Sequence, residues 1–282
     1  MKSTAVPVPS AVRLGMSRAS AQTLAVRAGV RMLHIKGQMT DPRILPTPRF
    51  GSDVDVIADP AGLDDLHDEL LAHGWVVYSS FDNGSAFGHA QTYFHPDWGH
   101  LDVHRRFPGI RVPDNIAFDA LWQGHDTLTV AGIDCAVPPL TAQAVLYLLN
   151  CARDRANGRA AAEAFWSTLT ADVRSRYLEF ARSLDAEVAV AAACGTLDAY
   201  AHRPEYRLWK VITEGGTRTE EWRARIAAED SRSDKARLIA RAALVNRDIL
   251  AHRLGRKPRP SDVATEFFRR IRRALHENGP SA

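Results

Sequence analysis

The stretch Ser52-Asp53-Val54-Asp55-Val56-Ile57 decides the fold. Val54, Val56 and Ile57 are β-branched and predict a strand. In a strand, residues two apart point to the same side, so Asp53 and Asp55 project from one face with their carboxylates close together. Like charges that near repel unless something cationic sits between them. Carboxylate oxygens suit a hard divalent ion, magnesium above all. Taken alone, an Asp-x-Asp pair reads more readily as a solvent-facing pair on a strand end or turn, so its surroundings decide.

Upstream, residues 17–29 carry helical spacing through Ala21, Leu24 and Ala25, with Gly29 as the stop. Residues 30–35 then predict a strand ending at Lys36-Gly37, and a loop with Pro42, Pro46 and Pro48 leads into the Asp-x-Asp strand. Downstream, Asp59-Pro60 opens a helix through Leu63, Leu66, Leu70 and Leu71 that Gly74 closes. Three more strands are predicted over 75–80, 89–94 and 100–104, the last two joined by a turn at Pro96-Asp97-Trp98-Gly99. A further hairpin is predicted over 127–130 and 133–137, around Ala131-Gly132. In His100-Leu101-Asp102-Val103-His104 apolar residues alternate with Asp102. If this strand lies beside the first, a third carboxylate joins the pair. Three carboxylates are enough for two metal ions roughly 3.5–4 Å apart, the arrangement used for in-line phosphoryl displacement.

From Thr141 onward the pattern is helical, with Leu140, Ala144, Leu148 and Cys151 on one face and Phe267, Ile271, Ala274 and Leu275 on another. Pro138-Pro139 marks the seam. The expected fold class is α+β: a small mixed β-sheet domain with flanking helices over 1–137, then an all-helical domain over 138–282, with the active site in the cleft between them. At 282 residues, 45% hydrophobic and 24% charged, the chain has the composition of a globular protein rather than a disordered one. Residues 1–10 lack the apolar run of a signal peptide, and the apolar stretch 188–194 is too short to span a membrane. Cys135, Cys151 and Cys194, an odd number with no Cys-x-x-Cys pair, fit a reducing compartment. The expected location is cytoplasmic.

The order Ile35-Lys36-Gly37, Arg49, Ser52-Asp53-Val54-Asp55-Val56, Gly74-Trp75 and Leu101-Asp102-Val103-His104 resembles the DNA polymerase beta-like nucleotidyltransferase superfamily. More narrowly it is similar to a bacterial family of uncharacterised nucleotidyltransferases. The resemblance covers roughly residues 30–136. It implies a magnesium- or manganese-dependent transfer of a nucleoside monophosphate from a nucleoside triphosphate to a hydroxyl, with pyrophosphate released. Asp53, Asp55 and Asp102 are then the metal ligands and catalytic residues, with Lys36, Gly37, Arg49, Ser52 and His104 around the nucleotide. Where the superfamily often has Gly-Ser or Gly-Gly, this chain has Lys36-Gly37-Gln38. Where the narrower family leads one to expect a histidine-bearing helix, it has Cys151-Ala152-Arg153-Asp154-Arg155, and no role passes to those positions.

Several readings stay open on the residues. The acceptor is a small molecule or a peptide, or else RNA. Residues 203–282 hold 19 Lys and Arg against 11 Asp and Glu, a basic segment that suits an anionic partner or simply a solvated helical surface. A nucleotide-binding protein without turnover is another reading. A zinc site of His100, Asp102 and His104 on one strand face is a more distant one. No membrane partner is expected, and nothing in the sequence sets the oligomeric state.

Overall fold

The structure is a computed structural model that describes residues 8–47, 51–81, 88–229, 231–243 and 245–277. The Asp-x-Asp stretch forms a strand, β2 (Asp53–Ala58), preceded by helix α1 (Ser10–Arg27) and strand β1 (Met32–Ile35). Helix α2 (Leu63–Ala72) follows it, then strands β3 (Val76–Ser79), β4 (Ala90–His95) and β5 (Gly99–His104). These make one five-stranded sheet in the order β1-β2-β5-β4-β3. It is mixed, because β2 and β5 run parallel while every other pair is antiparallel. A parallel pair needs a long crossover, and α2 with the β3–β4 hairpin supplies it between β2 and β5.

The alternation read in the sequence sorts the two faces of the sheet. Val54, Val56, Ala58, Leu101 and Val103 point to one side and are buried with Leu14, Ala21, Leu24 and Ala25 of α1 and Leu66 and Leu70 of α2. That burial fixes the register, because a slip of one residue would turn the apolar row outward and the aspartates into the core. Asp59 caps the short turn before α2, its Oδ1 accepting from the Ala61 amide at 3.1 Å. Arg31 joins this turn to helix α3 (Asp114–Trp122), pairing with Asp59 at 2.6 Å and Asp119 at 2.9 Å. A separate hairpin, β6 (Asp126–Val130) and β7 (Ile133–Val137), packs beside α1 and β1 and buries Cys135 and Val137 against Met39.

The chain divides into two compact units, residues 1–80 with 89–144, and residues 81–88 with 145–282. The division falls inside helix α4 (Leu140–Arg153). In the second unit, helices α5 (Gly158–Ser167), α6 (Ala171–Ser183) and α8 (Tyr206–Glu214) each contact α7 (Glu187–Cys194). The alanine-rich α7 buries Val188 through Ala193, as its composition predicts. Close approach explains Gly158 at the start of α5, where a Cβ would lie 1.9 Å from the Cys151 carbonyl oxygen. Helices α9 (Arg218–Ala228), α10 (Arg232–Ala243), α11 (Arg247–Leu254) and α12 (Pro260–Glu277) complete the unit. No helix among the described residues is long and apolar enough to cross a membrane.

Candidate active site

The face of the sheet turned away from α1 and α2 carries the polar residues of β2 and β5. The parallel register sets Asp55 directly opposite Asp102, Asp53 opposite His100, and Ile57 opposite His104. Asp55, Asp102 and His104 each offer a ligand atom, and these atoms all lie within 4.8 Å of one another. Asp53 falls outside that tight set but stands two residues from Asp55 on the same face. From β4, directly across from Asp102, Thr92 Oγ1 donates to Asp102 Oδ1 at 2.6 Å.

Asp55 is the most constrained of the three acids. Lys36 Nζ donates to its Oδ1 at 2.5 Å and His104 Nε2 at 2.9 Å. Burial opposes the Asp55 charge, but the His104 hydrogen bond and the Lys36 ammonium outweigh it and hold the carboxyl well below the usual range. His104 is itself buried, and burial together with the Lys36 charge lowers its pKa against the pull of Asp55. Because an ionised carboxylate can only accept, His104 Nε2 carries the proton given to Asp55 Oδ1. Its ring stacks on Phe107 at 6.0 Å between centroids and meets His89 at 5.3 Å.

Asp53 behaves differently. Burial raises its pKa, and the charges of Asp55 and Asp102 raise it further against the opposing charge of Lys36. It makes no side-chain ion pair with a described residue. The acids as a group thus carry more negative charge than the neighbouring ammonium neutralises. That imbalance and the donor chemistry fit a divalent cation, with carboxylates as hard ligands and an imidazole steadying one of them.

Lys36 reaches Asp55 from the end of β1 through an unusual backbone. Its φ of 64° and ψ of 172° fall where glycine is normally needed, and Gly37 follows at φ 53°. A non-glycine residue there costs about 1–3 kcal/mol and persists only where its surroundings hold it. The turn Gly37–Met39 is closed by Met39 N donating to Lys36 O and Thr40 N to Gly37 O, both at 3.1 Å. Past the turn, the Asp41 amide donates to Gln143 Oε1 at 2.7 Å, and Gln143 Nε2 donates to Pro138 O at 2.7 Å.

Of the residues the sequence singles out, the structure brings Lys36, Asp55, Asp102 and His104 into direct or near contact and leaves Asp53 beside them. Ser52 immediately precedes β2. Arg49 lies outside the described residues. His100 is not among the clustered ligands; its ring meets Tyr78 at 5.1 Å and Phe94 at 5.1 Å. Two residues escaped the sequence reading, Thr92 and Arg18. Arg18 of α1 is 5% exposed and donates from Nη1 to Gln38 Oε1 at 3.0 Å. Its signal was present: it continues the apolar stripe Leu14, Ala21, Ala25 at helical spacing, where an arginine is out of place.

A parallel β-strand pair bearing opposed acids, with a lysine-glycine turn at the end of β1, fits a protein of the nucleotidyl-transfer class. Its sequence agrees. Residues 22–194 match the pattern of the uncharacterised nucleotidyltransferase family, and the chain belongs to that family. No protein of curated function matches it in sequence. Several solved structures are similar at low identity, among them the following three. A lincomycin-bound lincosamide antibiotic adenylyltransferase, LnuA, is 15% identical over 45% of this chain and 82% of its own, with a TM-score of 0.33. The antibiotic-resistance factor ANT(2'')-Ia is 17% identical over 67% and 95%, with a TM-score of 0.39. An antigenic nucleotidyltransferase-like protein from Paracoccidioides brasiliensis is 16% identical over 67% and 100%, with a TM-score of 0.37.

Proposed function

We propose that this protein is a magnesium- or manganese-dependent nucleotidyltransferase that moves a nucleoside monophosphate from a nucleoside triphosphate to a hydroxyl of a small molecule or peptide. The observation that carries the reading is the register of β2 on β5, which sets Asp55 against Asp102 with His104 and Lys36 on the same carboxylate. Divalent cations held by Asp53, Asp55 and Asp102 would neutralise the triphosphate and the charge that builds on its leaving group.

The residues take complementary parts. Lys36 places an ammonium beside the phosphates, and Gly37 lets the backbone approach them so that its amide can donate. Asp55 stays ionised over the working pH range because its two donors hold its pKa down. The acceptor oxygen attacks the α-phosphorus as the bond from that phosphorus to the bridging oxygen breaks, and pyrophosphate leaves with that oxygen. Asp102 takes the acceptor's hydroxyl proton. Thr92 donates to Asp102 Oδ1 and thereby orients the carboxylate. Catalysis of this kind rests on positioning and charge rather than a covalent intermediate.

The basic segment argues less for RNA than its composition suggests. Arg203, Arg225, Arg253, Arg256 and Arg269 are each committed to a carboxylate within the helical unit. The test is incubation of the protein with each labelled triphosphate and a cell extract, with mass spectrometry for an added nucleotide. An acceptor that gains one nucleoside monophosphate, with the Asp53→Asn/Asp55→Asn protein as blank, is the expected result. A product that forms equally well with the double variant would refute the reading.

A further inference from the structure

Arg18 is a charged side chain in an apolar place. It lies on the stripe of α1 that faces the core, with Ser17 and Gln22 buried beside it. Burial lowers its pKa, while the negative charges of Asp55 and Asp53 reach it and favour its charged form. It makes no ion pair within 4.0 Å with a described residue. Among the described residues its hydrogen-bond partner is an amide, Gln38 Oε1 at 3.0 Å. Removing a guanidinium from water is expensive when no carboxylate meets it, so its retention calls for a specific use.

Gln38 is the middle residue of the turn that follows Lys36. That turn has the left-handed backbone at Lys36 and Gly37, and it aims the Lys36 ammonium at Asp55. Its far side is tied down by Gln143 through the Asp41 amide. Its near side has the Arg18 bond, and Met39 between them is buried in the Cys135 and Val137 cluster. A guanidinium is planar and its donor directions are fixed, so a bond from it sets direction as well as distance.

We propose that Arg18 is a positioning residue for nucleotide capture. Its guanidinium fixes Gln38, and through Gln38 it fixes the Lys36–Gly37 turn, so that the ammonium and the turn amides are already arranged when a triphosphate arrives. The inference rests on the triphosphate site proposed above. It adds an element, α1, to which neither the family match nor the aspartate pattern assigns a part.

A double-mutant cycle tests this in the full chain with Arg18→Met, Gln38→Met and the double variant. Each folded protein is titrated with the four ribonucleoside triphosphates in turn in the presence of Mn2+, and separately with Mn2+ alone. Expected is a loss of triphosphate affinity of about tenfold for either single variant and no larger loss for the double, because both remove one shared contact. Affinity for Mn2+ alone should not fall in either variant, since the carboxylates are untouched and losing the Arg18 charge favours a cation beside them; a general loosening of the fold would weaken both affinities. Losses that multiply to about a hundredfold in the double variant would overturn the proposal. So would unchanged triphosphate binding by Gln38→Met, the partly exposed and better tolerated substitution, even if Arg18→Met does not fold. If the unsubstituted protein binds no triphosphate with Mn2+, the nucleotidyltransferase reading itself fails and this inference falls with it. Binding by the unsubstituted protein that neither variant weakens removes the role of Arg18 alone.

Discussion

Acid should destabilise the N-terminal unit through a residue outside the chemistry, His34 of β1. The side chain is fully buried, and its strand position pairs with Val56, whose own side chain lies in the apolar core beneath α1. Neither ring nitrogen finds a hydrogen-bond partner among the described residues. Burial, aided by the nearby Arg18 charge, pushes its pKa from 6.5 down to about 3. A base with a depressed native pKa binds fewer protons folded than unfolded, so its contribution to stability is present above pH 6.5 and is lost as the pH falls toward 3. Each pH unit inside that window is worth about 1.4 kcal/mol. Going from pH 7.5 to 4.5 crosses about two such units, or about 3 kcal/mol, a large part of the stability of an ordinary domain. Urea unfolding of the wild type and of His34→Leu at the two pH values isolates the effect, because the carboxylates common to both proteins cancel in the difference. The variant should lose about 3 kcal/mol less than the wild type on acidification. Equal losses, within about 0.5 kcal/mol, would show that the imidazole titrates normally and that the argument from burial is wrong.

Asp53→Asn should remove repulsion from Asp55 and Asp102, raising the metal-free melting temperature while weakening Mn2+ binding. Calorimetry and a Mn2+ titration on the same samples check both halves, and a variant that lost stability without metal would contradict the electrostatic account. Leu101→Ala, next to Asp102 and 1% exposed, should cost about 2–5 kcal/mol in urea unfolding by opening a cavity under the sheet. Thr217→Ala should cost about 1 kcal/mol, because it breaks the capping box in which Thr217 and Glu220 satisfy each other's amides at the start of α9.

Much of the sheet was legible because its strands advertise themselves by alternation. The β-branched run after Asp53 and the apolar residues flanking Asp102 place both strands within a residue or two of their observed ends. What the sequence does not carry is pairing. Nothing in either run says that β2 and β5 lie side by side and parallel, or that Asp55 rather than Asp53 is the partner of Asp102. The start of α1 was also hidden: the helix begins at Ser10, seven residues before its apolar spacing becomes clear, behind a proline with no side-chain cap. Helix α3 escaped for a similar reason, since it is nine residues long and opens after Pro113 without a capping hydrogen bond.

The site was partly legible in the same way. Residue types and the family resemblance together singled out Lys36, Asp53, Asp55, Asp102 and His104 as candidates. Their division of labour depends on burial, which no short motif encodes. Asp55 is held ionised by two donors while Asp53, two residues away, is pushed the other way. His104 is buried and donates to Asp55, a contact that the sequence does not show. Arg18 and Gln38 are twenty residues apart and join only once α1 has packed beside β1.

The most direct test of the central claim is a crystal structure of the protein with Mn2+ and a non-hydrolysable nucleoside triphosphate, using anomalous scattering to locate the metal. The account expects Mn2+ bonded to Asp55 and Asp102, with Asp53 on the same or a neighbouring ion and the Lys36 ammonium, held by its turn, beside the phosphates. Manganese bound elsewhere, or a triphosphate lying away from this face of the sheet, would contradict it.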